Sequence, residues 1–199
     1  MQRLADAGHS DDELMALCAS GDAVEAAGAF RCLFDRHGQN AWRLAWRLTG
    51  DAGEAEDLVQ EGFARLWKQA GMWAAGQAGA GAFLQRVITN LAIDRSRRKR
   101  PEPVAEVPDS ADPAPLADAL LETANLSARI QACVASLPDR QRAAIVLTYW
   151  EGLTGPMAAE VMDLSPKAFE SLLIRARAAL KSVLAAAGIN TSLLPGDTP

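Results

Sequence analysis

The 199 residues include 20 Lys and Arg against 25 Asp and Glu, a formal net charge of −5, and 49% of the chain is hydrophobic against 23% charged. That balance excludes a wholly disordered chain and gives enough apolar material for one or two small domains. No apolar run approaches the roughly 20 residues of a membrane-spanning helix, and the opening MQRLADAGHSDDEL has no apolar stretch of a secretion signal, so the expected location is the cytoplasm, with no membrane insertion. Ala dominates and β-branched runs are scarce, which favours helix.

Ser10 followed by Glu13 reads as a capping box opening a short helix with Leu14, Leu17 and Cys18 on one side. A longer helix follows Ser20-Gly21-Asp22, with Ala26, Phe30, Leu33, Phe34, His37, Ala41, Leu44, Ala45 and Leu48 facing inwards and Gly38 as a point of interruption. Asp51 and Glu54 form a second capping pair. Behind it Ala55, Leu58, Val59, Gly62, Phe63, Leu66 and Trp67 step by three and four, which is the spacing of a buried stripe. The other face carries Glu56, Asp57, Gln60, Glu61 and Arg65, an acidic surface of the kind that solvated helices show. Gly71–Gly81 (GMWAAGQAGAG) is expected to be a mobile loop holding one exposed aromatic, Trp73, and lacks the Gly-Lys-Ser/Thr of a phosphate loop.

The segment from Phe83 to Arg100, FLQRVITNLAIDRSRRKR, carries two patterns. Phe83, Leu84, Val87, Ile88, Leu91 and Ala92 make a stripe to be buried, opposite Gln85, Arg86, Thr89, Asn90 and Asp94. It ends in Arg95, Arg97, Arg98, Lys99 and Arg100, so six cations stand against the single Asp94 in a chain of net negative charge. One or two cations would suit the helix dipole; five within six residues fit a polyanion, whose neutralised phosphates release counterions. Four helices thus make an N-terminal domain over residues 10–100.

Residues 101–125 change character. PEPVAEVPDSADPAPLADALLETA holds five prolines, six acids and no base, the composition of an extended tether between two domains. Helical periodicity returns over residues 126–187. Ala143, Val146, Leu147 and Trp150 form one stripe, Thr154-Gly155-Pro156 opens a short helix through Met162, and Ser165-Pro166 starts a last helix with Phe169, Leu173, Ala176, Leu180, Val183 and Leu184 inwards. A short helix, a tight turn and a longer helix bearing Lys167, Arg175 and Arg177 make a helix-turn-helix candidate. Residues 188–199 are expected to be a disordered tail. The cysteines (Cys18, Cys32, Cys133) and histidines (His9, His37) show no metal spacing and no paired nucleophile and base, so neither cofactor, metal nor enzymatic activity is expected.

Taken together, AEDLVQEGFARLW (Ala55 to Trp67), FLQRVITNLAIDRSRRKR, LPDRQRAAIVLTYWEGLT (Leu137 to Thr154) and the ending LIRARAAL resemble bacterial RNA polymerase sigma factors of the extracytoplasmic-function group, within the sigma-70 superfamily. The resemblance implies an all-α chain of two helical domains, a region 2 bundle and a region 4 helix-turn-helix, joined by a flexible acidic linker. It implies that Asp57, Gln60, Glu61, Arg65 and Trp67 contact the clamp helices of the core polymerase β′ subunit. Trp73, Phe83, Arg86, Asn90, Asp94, Arg95, Arg97 and Arg98 would bind and open the −10 element, where unpaired bases need stacking surfaces beside a basic track. Ser165, Lys167, Glu170, Ser171, Leu172, Arg175 and Arg177 would lie at the −35 element in the major groove. An anti-sigma factor controlling a stress or envelope-response regulon is the further partner implied.

Two departures stand out. Phe83 replaces the family's usual Trp, and the usual Lys-Ser-Arg-Leu run of the recognition helix reads Glu170-Ser171-Leu172-Leu173. A carboxylate is repelled by phosphates, although Glu accepts from cytosine N4, and Leu172 adjoins the buried stripe. These changes leave open a sigma-like decoy that sequesters an anti-sigma factor, or a helix-turn-helix regulator of another kind.

Overall fold

The computed structural model describes residues 8–20, 22–74, 76, 79–99 and 118–190, with backbone alone at 99 and 118–124. Among them every regular element is helical: α1 (Asp11–Ala19), α2 (Ala23–Thr49), α3 (Ala52–Gln69), a single 3-10 turn at Ala70–Met72, α4 (Ala80–Lys99), α5 (Asp118–Ala135), α6 (Asp139–Tyr149), α7 (Gly155–Val161) and α8 (Pro166–Ala186). They fall into two compact units, one built on α1 to α3 and α4 as far as Ala92, the other on α5, α6, α8 and most of α7. The acidic linker through residue 117 and the tail from 191 lie outside the described residues, as does Arg100. Helix α5 begins at Asp118, inside the segment expected to be linker: Ala119, Leu120, Leu121 and the acids Asp118 and Glu122 suit a helix once the prolines end at Pro115.

In the first unit, caps set the helix starts. The Ser10 backbone N–H donates to Glu13 Oε2 at 2.7 Å, and the Glu13 N–H returns to Ser10 Oγ. Asp22 Oδ1 accepts from the backbone N–H groups of Val24 and Glu25, and Asp51 Oδ1 from that of Glu54 at 2.7 Å. Helix α2 runs unbroken through Gly38, because helical hydrogen bonding tolerates an isolated glycine whose neighbours pack; it ends at Gly50, held at φ 73°. Leu14, Met15, Leu33, Leu44, Leu58, Leu66, Leu84 and Ile88 form the core. A Cβ on Gly62 would stand 3.2 Å from Ile88 Cγ1, so the glycine sets how closely α3 and α4 approach. Cys18 sits in this core, and burial, helped by Cys32 nearby, pushes its thiol up to about 11.

Three residues depart from the expected patterns here. Phe34 and Trp67 are 48% and 42% exposed, although both fell on apolar stripes. Each sits beside a fully buried neighbour, Leu33 and Leu66, and lies at the margin of its stripe rather than at its centre. Thr89, expected on the polar face of α4, is fully buried, its Oγ1 without a hydrogen-bond partner among the described residues. It lies one turn from Ala92 and next to Ile88, both buried.

In the second unit α6 and α8 form the main packed pair. Arg142 ties α5 to α6, donating from Nη2 to the carbonyls of Ala135 and Leu137 at 2.5 and 3.1 Å. Ser165 caps α8, accepting from the Ala168 N–H, with Pro166 at the first helical position. Asp163, at φ 50°, makes the tight turn before it. Phe169, Leu173, Ala176, Leu180 and Leu184 bury one side of α8 as the spacing predicted, with Val183 half-buried, and Leu172, expected among the DNA-facing residues, is buried with them. Trp150 is the exception to its stripe. It lies past the end of α6 and is 37% exposed, at the mouth of an apolar cavity of about 470 Å³ lined also by Leu126, Ile130, Leu180 and Leu184.

Candidate nucleic-acid interface

Three surfaces carry the candidate residues, each positioned by its own element. On α3, Asp57, Gln60 and Glu61 share one helical face, with Asp57 and Gln60 exposed and Glu61 half-exposed. Arg65 Nε donates to Glu61 Oε1 at 2.9 Å, so these two act as a pair rather than as separate charges. Trp67 is held upright by Phe30 of α2, ring centroids 5.0 Å apart and nearly perpendicular, and Phe30 in turn meets Phe63 edge-on at 5.9 Å. Phe34, tilted against Phe63 at 4.9 Å, extends the aromatic cluster to solvent, and Val24 of α2 is 73% exposed. The α2 side of this surface was missed in sequence because Phe30 and Phe34 were both assigned to the core.

The second surface comprises the segment after α3 and the outer face of α4. Trp73, expected to stand exposed on a mobile loop, is half-buried and tied down. Its indole N–H donates to Asp12 Oδ1 at 2.8 Å, and its ring meets Phe83 edge-on with centroids 6.0 Å apart. The Gly76 backbone N–H donates to Asp12 Oδ2 at 3.0 Å. These two hydrogen bonds, the indole's foremost, hold the Asp12 carboxyl below its ordinary range. Nothing in the sequence pairs Asp12 with residues so far along the chain.

Along α4, Arg86, Asn90 and Arg97 fall on one line at spacings of four and seven, with Asp94 and Arg98 flanking it. Arg86, Asp94, Arg97 and Arg98 are exposed and Asn90 half-exposed. Arg95 does not join them. It follows Leu84, Ile88 and Leu91 round to the apolar side, where it is half-buried and engaged by another group. The exposed cations of this helix among the described side chains are therefore Arg86, Arg97 and Arg98.

The third surface is the outer side of α8. Ser165, Lys167, Glu170, Ser171, Arg175 and Arg177 are exposed. Ser165 Oγ is spent on the cap, and Ser171 Oγ donates to the Lys167 carbonyl at 3.0 Å. Arg175 Nε donates to the Ser171 carbonyl at 3.2 Å, lying along its own helix, while Arg177 Nε donates to the Tyr149 hydroxyl at 2.7 Å and stacks over that ring. Leu172 is 7% exposed and packs inwards, so it cannot present to a base edge; its place on the buried stripe outweighs its place in the motif. Glu170 thus stands as the change that alters the exposed face. No cluster among the described residues has metal-ligating geometry, and no described helix is long and apolar enough to cross a membrane.

A family model of Sigma-70 region 2 matches residues 33–102, and one of Sigma-70 region 4 matches residues 127–180. The chain is 32% identical to the ECF RNA polymerase sigma factor SigE of Mycolicibacterium smegmatis over 84% of its own length and 65% of that protein. It is 32% identical to the ECF RNA polymerase sigma factor SigL of Mycobacterium tuberculosis, over 85% of this chain and 97% of the relative. With the ECF RNA polymerase sigma factor SigW of Bacillus subtilis it shares 30% identity over 78% and 89% of the two chains. Among solved structures, CnrH in complex with the cytosolic domain of CnrY superposes with a TM-score of 0.63 at 29% identity, covering 89% of this chain and 99% of that one. The sigma factor RpoE of Bartonella quintana, solved with the anti-sigma factor NepR, has the same fold at TM-score 0.57 and 21% identity, covering 78% and 96%.

Proposed function

The chain belongs to the extracytoplasmic-function sigma factors of the sigma-70 family, and from that premise we propose that it is a promoter-specificity subunit which binds core RNA polymerase, reads two promoter elements and opens the DNA at one of them. Residues 10–100 bind the polymerase and melt the −10 element; residues 126–187 read the −35 element. The observation that carries this is the pairing, within one chain and in family order, of a region 2 match whose α4 exposes Arg86, Arg97 and Arg98 with a region 4 match whose capped α8 exposes Lys167 and Arg175. The exposed aromatic cluster of Phe34 and Trp67 beside Asp57 and Gln60 supports a protein contact there, since apolar rings at a charged rim are the makings of a hot spot. Control by an anti-sigma factor belongs to the same reading. CnrH was solved with a cytosolic partner domain bound, and a partner covering Phe34 and Trp67 would compete with the polymerase.

A decoy that binds only an anti-sigma factor is favoured by Glu170 alone, now that Leu172 is accounted for by packing. Run-off transcription with core polymerase on promoter fragments separates the two. The sigma reading expects new, discrete transcripts that disappear when Arg97 and Arg98 are both changed to Ala. Binding to core polymerase without any transcript makes Glu170 the suspect, with Glu170→Lys as the next test, and no binding to core at all overturns the sigma reading in favour of a decoy or another helix-turn-helix regulator.

A further inference from the structure

Asp12, in the first turn of α1, spends both carboxylate oxygens on the Trp73 segment, 61 residues away along the chain: Oδ1 on the indole N–H and Oδ2 on the Gly76 N–H. Its neighbour Asp11 faces α2 instead, accepting from Arg36 at 2.5 Å and pairing with His37 Nε2 at 2.8 Å. Arg36 also donates to the His9 carbonyl at 2.9 Å, and the Ser10–Glu13 capping box closes the same turn. The start of α1 is thus clamped to α2 on one side and holds Trp73 and Gly76 on the other. The approach is close. A Cβ on Gly81 would stand 3.2 Å from the His37 ring, and one on Gly79 3.5 Å from Asp11 Oδ2.

We propose that Asp12 is the positioning residue of the promoter-opening surface, presetting Trp73 against Phe83 so that an unpaired base meets an ordered aromatic face. The inference rests on the reading of the −10 surface given above and deepens it. A segment with glycines at 71, 76, 79 and 81 loses much conformational freedom when fixed. Fixing it during folding removes that cost from the DNA-binding step. A carboxylate suits the task because two donors converge on it; an amide would turn its own NH2 towards one of them. An acid beside a phosphate track is otherwise unfavourable, and here both its oxygens are occupied by N–H donors.

The test uses the full chain with 5-fluorotryptophan in place of Trp, the Trp73 resonance being assigned by its loss in Trp73→Phe. In Asp12→Ala the Trp73 fluorine signal moves towards the solvent-exposed position while the other tryptophans stay put; Asp12→Glu restores it and Asp12→Asn restores it in part. With core polymerase added, Asp12→Ala binds a single-stranded −10 oligonucleotide about tenfold more weakly, the scale of losing one charge-assisted hydrogen bond, while its affinity for core polymerase is unchanged and Asp12→Glu rescues. An unmoved Trp73 signal overturns the proposal, and so does a fall in core affinity as large as the fall in oligonucleotide binding. If the wild-type chain is itself inert with core polymerase, the functional reading fails and the positioning role with it, while the fluorine signal still reports whether Asp12 holds the segment.

Discussion

Helix α8 and the Trp73 segment are both proposed to meet DNA, and they hold their side chains in place by opposite means. On α8 the orientation of every residue follows from period: Phe169, Leu173, Ala176 and Leu180 turn inwards, and Lys167, Glu170, Ser171 and Arg175 are left facing out. On the Trp73 segment no period exists, and orientation comes from Asp12 and Phe83, which lie on other elements. A recognition surface on a helix is as stable as the helix's core, whereas one on a loop is as ordered as its few tethers.

The comparison breaks first, and with the largest effect, at Phe169, which is 1% exposed. Phe169→Ala is expected to cost about 3–5 kcal/mol in chemical denaturation of the C-terminal unit and to abolish −35 binding through loss of the helix. No single change at Trp73 should unfold its unit in this way; Trp73→Phe is expected to leave the helical circular dichroism intact while weakening promoter opening in a permanganate assay. Next comes Trp67, exposed yet braced by Phe30. Trp67→Ala is expected to lower the affinity for core polymerase by about 2 kcal/mol, the scale of an aromatic hot spot, with little effect on stability; an equal loss of both would make Trp67 a core residue after all.

Legibility in the sequence divides along the same line. The helices of both units, their starts at Ser10, Asp51 and Ser165, and the buried side of α8 were readable because 3.6-residue periodicity and capping chemistry are local. Residues at the margins of a stripe were not. Phe34, Trp67 and Trp150 are apolar and half-out, Thr89 is polar and in, and Leu172 belonged to two patterns at once. Period assigns a side but gives no width, and width is set by the neighbouring helix. Arg95 shows the same limit, since a run of cations in sequence is dealt round the helix and only some face one way. The Asp12 tether was beyond any local signal, because an acid in a first turn is already explained by the helix dipole.

Two smaller effects sharpen the contrast. On α8, Glu170→Lys restores the cation usual in the family and is expected to tighten −35 binding several-fold at low salt, steepening the salt dependence by about one phosphate. The gain should fade as salt rises, as measured by anisotropy of a duplex promoter fragment. On the loop, the Asp12 carboxyl is lowered from its ordinary value of 3.8 by the Trp73 and Gly76 N–H donors. The tether's contribution is therefore full above that ordinary value and is lost as the pH falls through the lowered one. The Trp73 fluorine signal should hold its folded position through pH 3.8 and shift only below it; a shift centred above that value contradicts the assigned hydrogen bonds.

The central claim is that one chain reads two promoter elements with two different surfaces, and the most direct measurement is selection of transcribed templates from a randomised upstream library with core polymerase. The account predicts enrichment of two short elements at a fixed spacing. The downstream one should weaken selectively in Arg97→Ala/Arg98→Ala and the upstream one change its preferred bases in Glu170→Lys. Enrichment of a single element, or of none with polymerase demonstrably bound, would contradict it.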